Sequence, residues 1–161
     1  METVTLRGGD LPWQPVSPAL VRARLIVLAM TMAIPIVATI VVALVLTPWV
    51  WIATGILIVV TAVVGYVVTR QVGAISWIEL PEEFVIRKGR VLRSLVAIPY
   101  GRLQFVDVQS GPVARAYGIA SLQIHTASPQ SSGTLPGLPI AQAEELRTRL
   151  AALGEAQRAG L

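Results

Sequence analysis

From Leu25 to Thr69 the chain carries no charged side chain, and no other feature of its 161 residues constrains the fold so tightly. Arg22 and Arg24 precede this run and Arg70 ends it. A helix crosses the hydrocarbon core of a bilayer with about 20 residues at roughly 1.5 Å each, so the run is too long for one crossing. It divides at "LTPWVW", residues 46–51, where Pro48 suits a turn or the first turn of a new helix. The rings of Trp49 and Trp51 favour the membrane–water boundary. The sequence therefore predicts two membrane spans, near 25–46 and 50–69, joined by a very short loop. Pro35 falls inside the first, where a proline is tolerated if neighbours satisfy the freed carbonyl. A buried pair of soluble helices is disfavoured, because the run far exceeds the roughly 18 apolar residues that already suggest a span. A cleaved signal peptide is disfavoured too, since the run starts late and continues into a second span.

The arginines also predict an orientation. They flank both ends of the hairpin while "TPW" carries no charge, so the positive-inside rule puts both termini in the cytoplasm of a multi-pass cell-membrane protein. The chain has no cysteine, which excludes disulfides and thiolate metal sites and agrees with a reducing compartment. Beyond Arg70 basic residues only slightly outnumber acidic ones. That balance is no nucleic-acid footprint, although it is compatible with an anionic membrane surface.

Residues 1–24, rich in proline and glycine and without periodicity, are expected to be an irregular cytoplasmic lead-in, with Trp13 near the interface. After the hairpin, residues 71–154 read as one small domain and 155–161 as a tail. "AISWIEL" (74–80) alternates apolar and polar residues. "EFVIRKGRVLRSLVAIPY" reads as two or three short strands around a "KG" turn, with Gly89 able to take positive φ. "RLQFVDVQS" places Leu103, Phe105 and Val106 or Val108 toward a core, with Asp107 and Gln109 outward. "IASLQIHTAS" sets Ala120, Leu122, Ile124 and Thr126 on one face and Ile119, Ser121, Gln123 and His125 on the other. "SSGTLPGLP" reads as a turn-rich link. In "PIAQAEELRTRLAALG", Ile140, Ala143, Leu146, Leu150 and Leu153 recur at helical spacing, with Pro139 opening the helix and Gly154 closing it. The predicted fold is a two-helix transmembrane hairpin followed by a mainly antiparallel β-domain, a bent sheet or partly open barrel, with a C-terminal capping α-helix.

The order of these parts resembles the bacterial pleckstrin-homology (PH)-like membrane proteins of the YdbS type. The stretches that carry the resemblance are "IPYGRLQFVDVQSGPVARAYGIASLQIHTA" and "PGLPIAQAEEL", within a match of roughly residues 20–153. It implies a PH-like β-fold tethered to the cytoplasmic face of a membrane.

No catalytic, cofactor or metal site emerges from the residues. The lone His125, with no cysteine and no acidic cluster nearby, cannot supply a three- or four-ligand metal site. Ser121, His125 and Asp107 on strands offer no nucleophile elbow and no glycine-built oxyanion hole. His125 is expected to be structural. Arg87, Lys88, Arg90 and Arg93 cluster around one hairpin tip, where they are either solvated or in weak contact with anionic lipid, at about 1 kcal/mol per basic residue. Arg115 and Tyr117 lie between Gly111-Pro112 and Gly118, either holding the loop together or docking a partner protein. The hairpin contains threonines but no ionisable residue, so it reads as an anchor and assembly surface instead of a transport path.

The expected function is a non-enzymatic, membrane-anchored interaction or scaffold module without cofactors, small-molecule substrate or nucleic acid. Its partners would be the bilayer and a membrane protein, or further copies of itself. The alternative is a sensor of anionic lipid at the inner membrane surface through hairpin 87–93. The topology can be checked directly. A cysteine at Thr47 is expected to react with an impermeant reagent in intact cells, and one at Ser110 to stay unlabelled. Reversed labelling would contradict the orientation.

Overall fold

The computed structural model describes residues 12–45, 49–89, 94–128 and 132–160. Two helices carry the uncharged run, α1 (Ala19–Val45) and α2 (Val50–Val72), and they pack against each other. Gly65 near the end of α2 lies beside Leu25 and Leu28 near the start of α1, so the two run antiparallel. Both are long and apolar enough to cross a membrane. Their large side chains face outward, with Ile34 77% and Ile56 60% exposed, whereas the core helix of a water-soluble domain buries such residues. The threonine hydroxyls are satisfied within the helices. Thr31 donates to the Val27 carbonyl at 2.9 Å, Thr39 to Ile36 at 2.9 Å and Thr61 to Leu57 at 2.7 Å, which removes polar groups from an apolar surround.

Helix α1 begins at Ala19, well before the charge-free run. The Ala19 N–H is received by the Ser17 hydroxyl at 3.2 Å, and Ala19, Leu20 and Ala23 are buried. The arginines therefore mark the edge of the apolar stretch while the helix itself starts earlier, inside the β-domain. At the other end, Val72 and Ile75 are buried in the same core. The lead-in is also engaged: Gln14–Pro15 forms a short strand, β1.

Among the described residues, seven strands make two antiparallel sheets. The first, ordered β1-β2-β3-β4, adds β2 (Ser76–Glu79), β3 (Glu83–Lys88) and β4 (Ser94–Pro99) to β1. The second, ordered β5-β6-β7, contains β5 (Leu103–Gln109), β6 (Ile119–Thr126) and β7 (Gly133–Pro139). A short helix α3 (Pro112–Ala116) joins β5 to β6, and α4 (Ile140–Arg158) follows β7. This is the expected antiparallel β-domain with a C-terminal helix, arranged as two sheets with no closed barrel among the described residues. Trp77, Phe84 and Ile98 of the first sheet share one core with Leu122, Ile124 and Leu135 of the second and with Leu146 and Leu150 of α4. Tyr100, buried at the turn between the sheets, donates its hydroxyl to the Leu80 carbonyl at 2.9 Å. Burial, helped by Glu79 and Glu83, pushes that hydroxyl up to about 12, so it remains a neutral donor.

Four details differ from the sequence reading. Phe105 is 56% exposed and not in the core, because a register shift between Leu103 and Phe105 reverses the alternation of β5. The turn-rich link is largely strand β7. As an edge strand it needs no amide from Pro136, and Leu135 and Leu138 supply its buried side chains. Gly154 does not close α4. It lies within the helix, where an added Cβ would sit 3.3 Å from Leu103, so the glycine serves close helix–strand approach. Ile140 at the helix start is exposed.

One contact seats the domain on the hairpin. Strand β7 bulges at Gly137, which has φ +78°, and the Gly137 carbonyl accepts the Ser17 N–H at 2.8 Å. Leu20 of α1 presses onto this bulge so closely that a Cβ on Gly137 would fall 2.7 Å from its Cδ2. The first turn of this candidate membrane-spanning helix is thereby part of the β-domain.

Candidate functional site

Where the β3–β4 hairpin meets the start of α1, the chain gathers positive charge. Arg87 and Lys88 end β3, and Gly89 takes φ +85° to begin the turn, as the "KG" pair suggested. Arg90 and Arg93 lie outside the described residues. Of the four expected lipid contacts, Arg87 is used by the fold. Its Nε donates to the buried Ser76 hydroxyl at 3.0 Å, and its guanidinium lies 4.4 Å from the centre of the Trp13 ring. Arg87 thus clamps the lead-in strand onto β2. Neither Trp13 nor Ser76 was visible as its partner, because the pairing of β1 with β2 joins segments on either side of the whole hairpin.

Lys88 behaves differently. Burial, and then the nearby charge of Arg24, pull its pKa below the ordinary lysine value. Among the described residues no carboxylate makes an ion pair with Arg24 or Lys88; the ion pairs found there all involve Arg147 or Arg149. The charge of Arg24 on α1 thus acts on Lys88 of the β-domain, and neither makes an ion pair among the described residues.

Arg115 and Tyr117 sit beside this region on and after α3. An Arg115 Nη2 donates to the Ser110 carbonyl at 3.4 Å, a long bond at an exposed site, and Tyr117 is half-buried with the Arg22 guanidinium 6.0 Å from its ring. These side chains hold the loop to itself and to α1. Pro112 opens α3 and Gly118, at φ +66°, leaves it, as their positions in the sequence suggested.

His125 lies on the outer face of the second sheet. Its ring stacks on the exposed Phe105 with centroids 4.1 Å apart and planes 14° from parallel. Alongside, Gln123 Nε2 donates to Gln109 Oε1 at 2.7 Å, and Gln109 Nε2 donates to Asp107 Oδ2 at 3.1 Å. The face is a pre-ordered strip with one aromatic pair. Sequence reasoning missed the pair because it placed Phe105 inward.

A two-sheet β-module capped by a helix and rooted on an apolar helical hairpin defines a PH-like protein with candidate membrane spans. The family described as Bacterial PH domain matches residues 21–154, and the chain belongs to that family. The match begins within α1, so it takes in the hairpin as well as the β-domain. No curated protein and no solved structure matches the chain.

The different duties of the two basic residues can be measured. Arg87→Gln loses a charged hydrogen bond and a ring contact, and is expected to cost about 1–2 kcal/mol in denaturant unfolding, with a change in Trp13 fluorescence. Lys88→Gln removes an uncompensated charge and is expected to stay within about 0.5 kcal/mol of wild type or to stabilise. Equal losses from both would contradict this division.

Proposed function

We propose that the protein is a non-enzymatic, membrane-anchored interaction module that needs no cofactor, with both termini in the cytoplasm. The hairpin would anchor it in the cell membrane, and the β-domain would meet a membrane-protein partner or a second copy of the chain. The observation that supports this reading best is the shared core. Because Leu20 and Val72 are buried with Leu138 and Ile119, the β-domain keeps one height and heading relative to the hairpin. A module held this way presents a chosen face without the ordering cost that a flexible tether would add to binding.

The face proposed for contact is the outer strip of β5 and β6. Phe105 is an exposed aromatic already stacked on His125, so little freedom is lost when a partner covers it. Arg115 and Tyr117 are less suited to the role, since their contacts to Ser110 and Arg22 occupy them. A second reading, attraction of the basic hairpin to anionic lipid, is favoured by Arg24 and Lys88, which make no ion pair among the described residues. The two differ in salt dependence, because exposed charge attraction fades with ionic strength and a packed interface persists.

The test places a photo-crosslinking residue at Phe105 and, as a control, at the exposed Glu82 between β2 and β3 of the other sheet, in full-length protein in native membranes. Discrete protein adducts are expected at position 105 and not at 82, undiminished by raised salt. An adduct of twice the chain mass identifies self-association and any other discrete mass a partner. Equal labelling at both positions, or adducts that disappear with salt, would overturn the interaction reading.

A further inference from the structure

An apolar cleft of about 590 Å³ opens between the base of the hairpin and α3. One wall is Val27, Leu28 and Thr31 of α1 with Val68 of α2, and the other is Pro112 and Val113. Arg24 is its one ionisable lining residue. The volume is within the roughly 300–1,000 Å³ usual for small-molecule sites, as is an apolar lining with a single charged group.

The depth of the cleft identifies its occupant. Arg24 is the last charge before the apolar run, and Thr31 lies seven residues further on, about 10 Å along the helix axis. Helices that rest in a membrane interface sink by about 5–10 Å, so α3 and the cleft fall in the layer where headgroups give way to acyl chains. The residues around α3 suit that layer: Pro112 and Val113 are apolar, while Arg115 and Tyr117 have polar tips on long or aromatic stems. At the polar end stands Arg24, which makes no ion pair with a carboxylate among the described residues.

We propose that the cleft binds one anionic phospholipid, with an acyl chain between α1 and α3 and the phosphate near Arg24. Inside a bilayer the chain gains little by leaving other lipids, so packing gives retention and the Arg24 cation gives selectivity. The site is distinct from a contact of the 87–93 hairpin tip with the membrane surface, and it rests on α1 and α2 crossing a bilayer.

The experiment uses the full chain in nanodiscs with phosphatidylglycerol or phosphatidylcholine carrying a photoactivatable group in mid-chain, at equal mole fraction. Labelled residues are mapped by mass spectrometry, with Ile34 and Ile58 as lipid-facing references. Phosphatidylglycerol is expected to label Val27, Thr31 or Val113 roughly fivefold more than phosphatidylcholine does, the factor that one favourable charge of about 1 kcal/mol supplies. The references should take both lipids equally. Arg24→Gln should abolish most of the preference, and Ala114→Trp, which fills the cleft, should remove cleft labelling while the references are unchanged. If Ala114→Trp loses its near-ultraviolet circular dichroism, Thr31→Trp fills the cleft from the helix side and carries the same expectation. Cleft labelling no stronger than at the references, equal for both lipids, or replaced by a crosslink to a second chain would overturn the proposal alone. Absence of label at Ile34 and Ile58 as well would overturn the membrane crossing with it.

Discussion

The contact of Leu20 with the Gly137 bulge decides what kind of molecule this is. A β-domain that follows a membrane hairpin is usually free to swing on its connection. Here the hairpin does not stop where the charges begin. The first turn of α1 enters the β-domain core, the Ser17 amide is tied to the Gly137 carbonyl, and Val72 at the end of α2 is buried with them. The close approach requires a residue without a Cβ, and the bulge requires positive φ, so glycine satisfies both demands at one position.

Once the base is fixed, other features acquire definite places. Helix α3 is held against α1 at the depth of the first uncharged turns, leaving the cleft beside it. Lys88 comes under the charge of Arg24, and Arg87 locks the lead-in strand to β2. The Phe105–His125 strip is left on the outer face of the second sheet, turned away from the shared core. The proposed lipid contact and the proposed protein contact thus fall on different surfaces, and both proposals depend on one rigid joint.

Much of this architecture was legible in the sequence, for physical reasons that differ by element. An uncharged run can satisfy few environments other than a bilayer, so the hairpin was plain. The alternation of Leu122 and Ile124 against Gln123 and His125 marked β6, and the helical spacing of Ala143, Leu146 and Leu150 marked the buried face of α4. Gly89 was read correctly because a positive φ at a turn is a local demand. The misreadings arose where tertiary structure overrode local pattern. The shift at Leu103 and Phe105 reverses a parity that no single strand displays. The prolines of β7 look like a loop until the strand is seen to be at an edge. The candidate site was half visible: the basic residues were found, but their partners Trp13, Ser76 and Arg24 come from segments far away along the chain.

Hydrogen exchange on the full chain in nanodiscs, comparing wild type with Gly137→Ala, tests the joint most directly. The substitution forces a Cβ against Leu20 at a strained φ, and crowding of this kind typically costs about 1–3 kcal/mol. In the wild type, residues 17–23 and β7 should be protected together. In the variant, both should exchange roughly tenfold faster or more, because they open as one unit. Fast exchange of residues 17–23 in the wild type, or a change in the variant confined to β7, would mean that the β-domain hangs from the membrane on a loose connection.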